Sequence, residues 1–352
     1  MHPEKKTLVI LTPGFPASEA DSTCLPMQQS FVKALKNNDP NLHIIVLSFQ
    51  YPYLIRTYTW SGVTVMSFNG KNKGGIARLL LRRKLNTVLK EINCSHKIVG
   101  ILSFWYNECA WAGKKFADKN NLKHYCWILG QDARRTNTYP KSLQLKAGEL
   151  IALSDFLQDE FEKNHGIKPA FVIPPGIDSK QFNTETKEKD IDLLAAGSLI
   201  PLKQFEIFIE VVAEIKKQIP GIKAVLIGGG PEKDKLKILV NKFGLQANIT
   251  LTGELQYPEV LQWMQRAKVF LHPSSYEGFS GVCQEALAAG AYVISFCRPM
   301  KENINHWHIA SNKNEMKDAG LEILQNPHIG FEKTIPLGMN DTAEKMMKLF
   351  YV

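Results

Sequence analysis

Residues 271–290 carry the strongest pattern in this chain; they read LHPSSYEGFSGVCQEALAAG. An apolar run predicts a buried strand that ends at Pro273, and a short Ala- and Leu-rich helix follows it and ends at Gly290. Glu277 lies in the loop between them, and Glu285 lies in the first turns of the helix. A helix N-terminus collects unpaired N–H groups and partial positive charge, and open α/β sheets bind ligands at the carboxyl ends of their strands. The stretch therefore predicts a phosphate-binding site or, as the plainer alternative, a structural loop with two solvated glutamates.

Composition and length limit the class of protein. A chain of 352 residues allows two domains, and 44% hydrophobic with 22% charged residues is typical of a soluble globular protein. Apolar runs stay below the roughly 18–20 residues of a membrane span, and the N-terminus shows no signal-peptide pattern, so we expect a cytoplasmic protein. The six cysteines form no CxxC pair and are expected to be reduced. A net charge of +9 favours an anionic partner: nucleic acid, a nucleoside diphosphate or an acidic membrane surface.

Both halves of the chain alternate between predicted strands and helices, which favours two doubly wound parallel sheets in an α/β fold. The predicted strands of the first half are residues 7–11, 44–48, 62–68, 98–103, 125–129 and 150–153, with helices at 27–36, 108–120 and 155–165. Those of the second half are residues 192–197, 224–228, 249–252, 269–272 and 292–296, with helices at 204–217, 233–243 and 258–266. A Pro-Pro-Gly turn places the domain boundary close to Gly176. The predicted domains are residues 1–175 and 176–335, followed by a helical segment at 336–352.

The segment 71–90 is strongly basic, with seven Lys and Arg residues and no Asp or Glu. Its leucines recur near helical spacing, which suits an amphipathic helix lying on an anionic membrane surface. A core helix with a solvated basic face explains the pattern equally well. The segment lacks the interleaved aromatic residues that stack on bases, so nucleic acid is not an expected partner.

Several motifs disfavour metals and other cofactors. Asp190 and Asp192 have the spacing of a metal site, but they precede a predicted strand, at the end opposite the ligand edge. His306 and His308 lack a third zinc ligand. The sequence has no GxGxxG fingerprint and no Walker A loop, which disfavours nicotinamide and ATP. We therefore expect no metal and no cofactor.

Three loops follow predicted strands in the second half: residues 197–203, 228–231 and 277–281. The last of them, with Glu277 and Glu285 in E-x7-E spacing and Ala-Leu-Ala-Ala-Gly behind, resembles the signature of retaining GT-B glycosyltransferases, the "glycosyl transferases group 1" family. The resemblance implies two Rossmann-like domains facing across a cleft. The first would recognise the acceptor, the second would bind a nucleotide-sugar donor, and residues 336–352 would pack back on the first.

The resemblance also implies roles for individual residues. Catalytic roles are expected for Glu277, Lys203 and Asp132. The resemblance, together with the glycine-rich loops, indicates a set of donor-binding positions. These are Gly14, Ser198, Gly229, Gly230, Phe279, Ser280, Gly281, Val282 and Glu285. Ser198 replaces the arginine of the family's phosphate clamp, so Arg134 and Arg135 are candidates for further phosphate or acceptor contacts. Glu277 would lie near the sugar and phosphates, and Glu285 would accept the ribose hydroxyls.

The expected activity is metal-independent, retaining hexosyl transfer from a nucleotide-diphosphate sugar to a hydroxyl of a glycan or glycolipid. Two alternatives stay open: a nucleotide-sugar epimerase or hydrolase of the same fold, and a catalytically weak membrane-associated scaffold subunit. Ser198 and the basic segment 71–90 motivate the second alternative. That segment would hold the protein at the inner face of a membrane from the cytoplasmic side.

Overall fold

The computed structural model describes residues 6–182 and 188–351. The chain forms two compact units, one made of residues 1–176 and 337–352 and the other of residues 177–336. Among the described residues, no helix is both long and apolar enough to cross a bilayer.

The first unit is built on an eight-stranded sheet with the order β3-β4-β2-β1-β5-β6-β7-β8. Its strands are β1 Lys6–Gly14, β2 His43–Tyr51, β3 Ile55–Trp60, β4 Val63–Phe68, β5 Lys97–Phe104, β6 His124–Ile128, β7 Leu150–Ala152 and β8 Phe171–Val172. Its helices are α1 Pro26–Asn38, α2 Gly75–Ser95, α3 Glu108–Asn120, α4 Tyr139–Leu143, α5 Asp155–His165 and α11 Met339–Tyr351. All pairs in the sheet are parallel except β3 with β4. The sequence pattern missed β3 because five of its six side chains are exposed or half-buried, which removes the alternating apolar signal.

The second unit is built on a six-stranded parallel sheet with the order β11-β10-β9-β12-β13-β14. Its strands are β9 Ile191–Ala196, β10 Ala224–Ile227, β11 Ile249–Gly253, β12 Ala267–His272, β13 Tyr292–Ser295 and β14 Trp307–Ile309. Its helices are α6 Phe205–Lys216, α7 Lys233–Lys242, α8 Tyr257–Arg266, α9 Gly281–Ala288 and α10 Lys313–Gln325. Parallel strands covered on both faces are expected to contain a continuous apolar run, and β12 does: Val269, Phe270 and Leu271 are fully buried.

Each sheet reverses its strand order once beside its first strand, between β1 and β5 in one unit and between β9 and β12 in the other. In the first unit, β2, β4 and β3 lie on one side of β1, and β5 to β8 lie on the other side. In the second unit, β10 and β11 lie on one side of β9, and β12 to β14 lie on the other side. The loops at the carboxyl ends diverge there and leave a crevice, which is where open α/β sheets bind ligands. The topology therefore predicts one candidate site per unit.

The helix α11 completes the first unit. The ring of Phe350 meets that of Tyr125 edge-on at 5.0 Å, and the Lys123 Nζ donates to the carbonyl of Phe350 at 3.2 Å. A Cβ on Gly100 would lie 2.3 Å from the Phe350 ring, so only glycine allows this approach. The last helix thus packs on β5 and β6, the arrangement that the family resemblance implies for residues 336–352.

Candidate active site

The second unit has a cavity of about 480 Å³ at the carboxyl edge of its sheet. This volume lies in the roughly 300–1,000 Å³ range of small-molecule sites. The carboxyl ends of four neighbouring strands, and the segments that follow them, line this cavity. The residues are Ala196, Gly197, Ser198 and Lys203 from β9 and its loop, Ile227, Gly228 and Gly229 from β10 and its loop, Glu254, Leu255 and Val260 after β11, and Glu277, Ser280, Gly281 and Val282 after β12. All three loops expected from the sequence therefore meet in one cavity.

Two of these loops lie in direct backbone contact. Gly228 has a φ of 145°, and a Cβ built on it would lie 1.9 Å from the carbonyl oxygen of Gly197. The Leu199 amide donates to the carbonyl of Gly229 at 2.8 Å, which fixes the two loops to each other. Glycine is required at position 228 because any side chain would push these loops apart.

The charged centre of the cavity is an ion pair between Lys203 and Glu277, one from the β9 loop and one from the β12 loop. Lys203 ends a 3-10 turn that begins at Pro201, and Gln204 then adopts a left-handed φ of 50° and starts the next helix. The two side chains are 18% and 19% exposed, so both are shielded from bulk water yet reachable by a ligand. The pair brings together two residues that are 74 positions apart in the chain.

Glu277 is further held by the buried end of β12. Its Oε1 lies 3.2 Å from the Nε2 of His272 and accepts from the Ser274 hydroxyl at 3.2 Å. A carboxylate only accepts hydrogen bonds, so Nε2 must carry the imidazole hydrogen. Burial lowers the pKa of His272, which keeps the ring neutral. His272 and Ser274 thus fix the Glu277 carboxylate without adding charge. Neither is among the residues expected from the sequence, although His272 is a polar residue at the carboxyl end of an apolar run.

The electrostatics of Glu277 lead to a pH prediction. Burial alone would raise its pKa, but the His272 hydrogen bond and the Lys203 charge lower it from 4.5 to about 2. A group with a depressed pKa in the folded state stabilises the protein above its unfolded pKa and loses that contribution as the pH falls toward the folded value. We expect Glu277→Gln to reduce the free energy of unfolding by on the order of 2 kcal/mol at pH 7, and the difference from wild type to vanish between about pH 5 and pH 2.

Urea unfolding at a series of pH values measures this difference. Glu322→Gln, at an exposed position of α10, is the matched control. A Glu277→Gln deficit that stays constant from pH 7 to pH 3 would contradict the assigned network.

The N-terminus of α9 forms one wall of the cavity. Ser280 is buried, Gly281 begins the helix, and Val282 follows in its first turn. The helix ends at Gly290 in a Schellman motif: the Ala291 amide bonds the Ala286 carbonyl at 2.9 Å, and the Gly290 amide bonds that of Leu287 at 3.0 Å. Unpaired amides at a helix start and the Lys203 ammonium on the opposite loop suit a phosphate or diphosphate.

Glu285 lies one turn further along α9, outside the cavity lining. Its Oε1 accepts a hydrogen bond of 2.9 Å from the Tyr257 hydroxyl, which also lies 3.0 Å from Gln181. Burial raises the pKa of Glu285, and the Tyr257 hydrogen bond lowers it in part. The Tyr257 hydroxyl therefore already donates a hydrogen bond to Glu285, the carboxylate that by the family resemblance would accept the ribose hydroxyls. Tyr257 is not among the residues expected from the sequence. Its position at the start of α8, shortly after the carboxyl end of β11, is typical of a residue near the ligand edge of the sheet.

The other expected residues fall in three groups. Gly230 and Phe279 lie beside the cavity, and the Phe279 ring meets Trp307 edge-on at 6.0 Å. Arg134 and Arg135 are exposed in the first unit. Gly14 ends β1 in the same unit and is buried.

Asp132 is fully engaged in the first unit. Its Oδ2 accepts the amide of Leu129 at 2.8 Å and that of Tyr106 at 2.9 Å. Burial raises the pKa of this carboxyl to about 7, although both hydrogen bonds lower it. These contacts favour a role in holding the turn after β6.

The acidic residues before β9 are ion-paired. Asp190 accepts the Arg266 Nε at 2.8 Å, and Asp192 accepts the Lys268 Nζ at 2.8 Å, at the amino end of the strand. Within residues 6–182 and 188–351, no three His, Cys, Asp or Glu side chains are grouped as metal ligands.

Two doubly wound units, the second with a cavity at its reversal point, define the GT-B fold. The prediction of this fold is confirmed by solved structures. Sucrose-phosphate synthase from Thermosynechococcus elongatus aligns with a TM-score of 0.66 at 18% identity, over 98% of this chain and 95% of that one. Anabaena HepE, solved in complex with UDP-glucose, aligns with a TM-score of 0.67 at 16% identity, over 98% and 97%.

Residues 176–328 match the family described as "Glycosyl transferases group 1". Among curated relatives, the gpi3 subunit of phosphatidylinositol N-acetylglucosaminyltransferase from Schizosaccharomyces pombe is 30% identical over 131 residues. The match covers 36% of this chain and 29% of the relative, so it spans less than a third of the relative's length. The sequence-based assignment to this family is thus confirmed.

Proposed function

We propose that this protein is a glycosyltransferase that moves a sugar from a nucleotide-diphosphate donor to a hydroxyl of an acceptor glycan or glycolipid. The observation that carries the proposal is the convergence of Lys203, Glu277 and the α9 N-terminus in one cavity of about 480 Å³. The cavity offers the amides of the α9 N-terminus on one side and the Lys203 ammonium, paired with Glu277, on the other, around a space large enough for a nucleotide diphosphate. Nothing in this arrangement requires a protein nucleophile.

The proposed mechanism rests on charge stabilisation. The bond between the anomeric carbon and the β-phosphate oxygen breaks, and negative charge grows on the leaving diphosphate. Lys203 and the amides of Ser280, Gly281 and Val282 face that charge, and preorganised donors of this kind supply large catalytic effects. The acceptor oxygen bonds to the anomeric carbon, and its proton passes to the leaving diphosphate. Because the base is the leaving group itself, attack and departure occur on one face and configuration is retained.

Ser198 leaves the clamp with one fewer charge than the family pattern has. Its hydroxyl lines the cavity close to Lys203 and contributes a neutral hydrogen bond in place of a charge-assisted one. The negative charge of the diphosphate therefore falls mainly on Lys203. Stabilisation of the transition state therefore depends mainly on the ammonium group of Lys203.

The relatives indicate the donor. HepE is described in complex with UDP-glucose, and the gpi3 subunit is named for N-acetylglucosaminyl transfer to phosphatidylinositol. These names favour a UDP-linked hexose for this chain. The proposal includes metal independence, since the Lys203 ammonium and the amides at the α9 N-terminus already face the diphosphate.

The test is release of free nucleoside diphosphate from UDP-, GDP- and ADP-sugars with EDTA present, with and without glycan and glycolipid acceptors. We expect release from one donor class, unchanged by EDTA, and a new glycoside with retained anomeric configuration. Release without a glycoside in every acceptor mixture would favour the hydrolase alternative. Loss of activity with EDTA and its return with a divalent cation would overturn the metal-independent mechanism. No release and no donor binding across the panel would favour the scaffold alternative.

A further inference from the structure

The first unit has its own cavity, of about 160 Å³, at the reversal point of its sheet. Pro13 of β1, Phe49 and Gln50 of β2 and Asn107, which caps α3, form its walls. Its volume is below the roughly 300 Å³ at which sites for whole ligands begin, so it accepts one chemical group of a larger molecule.

The charges around this cavity favour an anion. Lys73 and Arg78 line it, and across the described residues neither side chain has an ion-pair partner. The one carboxylate in the lining, Glu108, is neutralised by the Arg82 Nε at 2.7 Å. The Arg82 guanidinium also stacks 4.1 Å above the Trp111 ring, which holds it toward the protein. Two free positive charges, those of Lys73 and Arg78, therefore remain for a ligand.

The same segment exposes apolar side chains. The helix α2 buries Leu81, Leu85, Leu89 and Ile92 in the core. Ile76, Leu79 and Leu80 lie on the opposite side of the helix and are 78%, 49% and 57% exposed. Helical spacing places Arg83 and Lys90 on that outer face too. A core helix with a solvated basic face, one of the two sequence-based interpretations, does not explain these three exposed residues.

A second exposed apolar group lies at the turn from β2 into β3. Tyr53, Leu54 and Ile55, at the turn from β2 into β3, are 58%, 57% and 61% exposed. The Lys71 Nζ lies 5.8 Å from the centre of the Tyr53 ring, which connects this turn to the segment before α2. We call these six apolar residues, with Lys71, Arg83 and Lys90, the amphipathic surface.

We propose that the amphipathic surface docks on an anionic bilayer and that the cavity between Lys73 and Arg78 receives the phosphate of a lipid held in that bilayer, the acceptor of the transferase. Large apolar side chains surrounded by Lys and Arg, with no acidic residue in residues 71–90, complement a bilayer with anionic headgroups. The cavity and the surface share the segment 71–80, so docking through this segment would bring Lys73 and Arg78 near the headgroups. The identification of this lipid as the acceptor rests on the proposed function; docking and phosphate binding do not.

The test separates the two parts with two double variants of the full chain. Leu79→Ser/Leu80→Ser removes apolar area from the amphipathic surface, and Lys73→Gln/Arg78→Gln removes the cavity charges. Ile238→Ser, at a 68% exposed apolar position of α7, and Lys119→Gln, at an exposed position of α3, are the matched controls. UDP binding and thermal unfolding of every variant verify that the second unit and the fold are intact.

Co-sedimentation with vesicles measures docking, and calorimetry with sn-glycerol 3-phosphate measures the cavity. We expect wild type to bind phosphatidylcholine vesicles that contain phosphatidylglycerol and not phosphatidylcholine alone. Leu79→Ser/Leu80→Ser should weaken vesicle binding on the order of 100-fold and leave glycerol phosphate binding unchanged. Lys73→Gln/Arg78→Gln should abolish glycerol phosphate binding and weaken vesicle binding roughly 30-fold.

Vesicle binding by Leu79→Ser/Leu80→Ser equal to that of Ile238→Ser would overturn the docking surface. Glycerol phosphate binding by wild type equal to that of Lys73→Gln/Arg78→Gln would overturn the phosphate site. If both expectations hold but no lipid phosphate accepts sugar while donor release continues, the assignment of this lipid as acceptor is overturned and the proposed donor chemistry is not.

Discussion

Replacing Lys203 with methionine is expected to lower the rate of nucleoside diphosphate release on the order of 10²- to 10³-fold. Lys203 is the only cationic side chain that lines the cavity among the described residues, and Ser198 supplies no charge beside it. Removing one preorganised donor from a developing anion typically has an effect of this size. Methionine keeps the length and apolar volume of the stem, so the loss reports the ammonium group itself.

The measurement is the steady-state release rate with the preferred donor, together with the binding constant for the intact nucleotide-sugar. We expect the rate to fall more than the affinity for the donor, because the leaving diphosphate carries more negative charge in the transition state than in the bound donor. Lys203→Arg should recover part of the rate. Lys313→Met breaks a comparable ion pair with Glu210, at 2.7 Å on the surface of the same unit, and is the matched control. A Lys203→Met enzyme that matches Lys313→Met in rate would remove Lys203 from the mechanism.

Gly228→Ala is expected to be the most damaging single methyl addition in the second unit. The new Cβ would lie 1.9 Å from the Gly197 carbonyl oxygen, and the φ of 145° is one that alanine rarely adopts. Backbone strain and a backbone collision each have effects of roughly 1–3 kcal/mol, so we expect a loss of about 3 kcal/mol in the free energy of unfolding. The β9 and β10 loops must separate to relieve the contact, which also moves Ser198 and Gly229 away from the donor.

Urea unfolding and nucleotide binding measure the two consequences. Gly221→Ala is the control: a Cβ there has no atom within 4 Å, and its φ is not in the left-handed region. Gly281→Ala is a second control, because it also meets nothing within 4 Å yet lies in the cavity wall. Gly228→Ala with the stability and nucleotide affinity of Gly221→Ala would show that the loops do not depend on their close approach.

The sequence alone determined the fold class and the position of the cavity in the second unit. Apolar runs mark β9, β10 and β12 because strands covered on both faces leave no room for alternation. Once the strands are known, the ligand edge follows from the topology, so the sequence by itself places the loops at residues 197–203, 228–231 and 277–281 at that edge. The helix stop at Gly290 was likewise readable, because a Schellman motif favours glycine at that position.

Only the tertiary structure decided which side chains meet. The pairing of Lys203 with Glu277 joins positions 74 residues apart, and the Tyr257 hydroxyl reaches Glu285 from another helix. In the first unit, Asp132 turned out to be held by two backbone amides, and the basic segment 71–90 divides between a core stripe, a cavity wall and an exposed face. Sequence periodicity tells which residues share a face of one element. Which face meets a second element depends on packing between strands and helices far apart in the chain, and that packing sets charge, burial and access at the site.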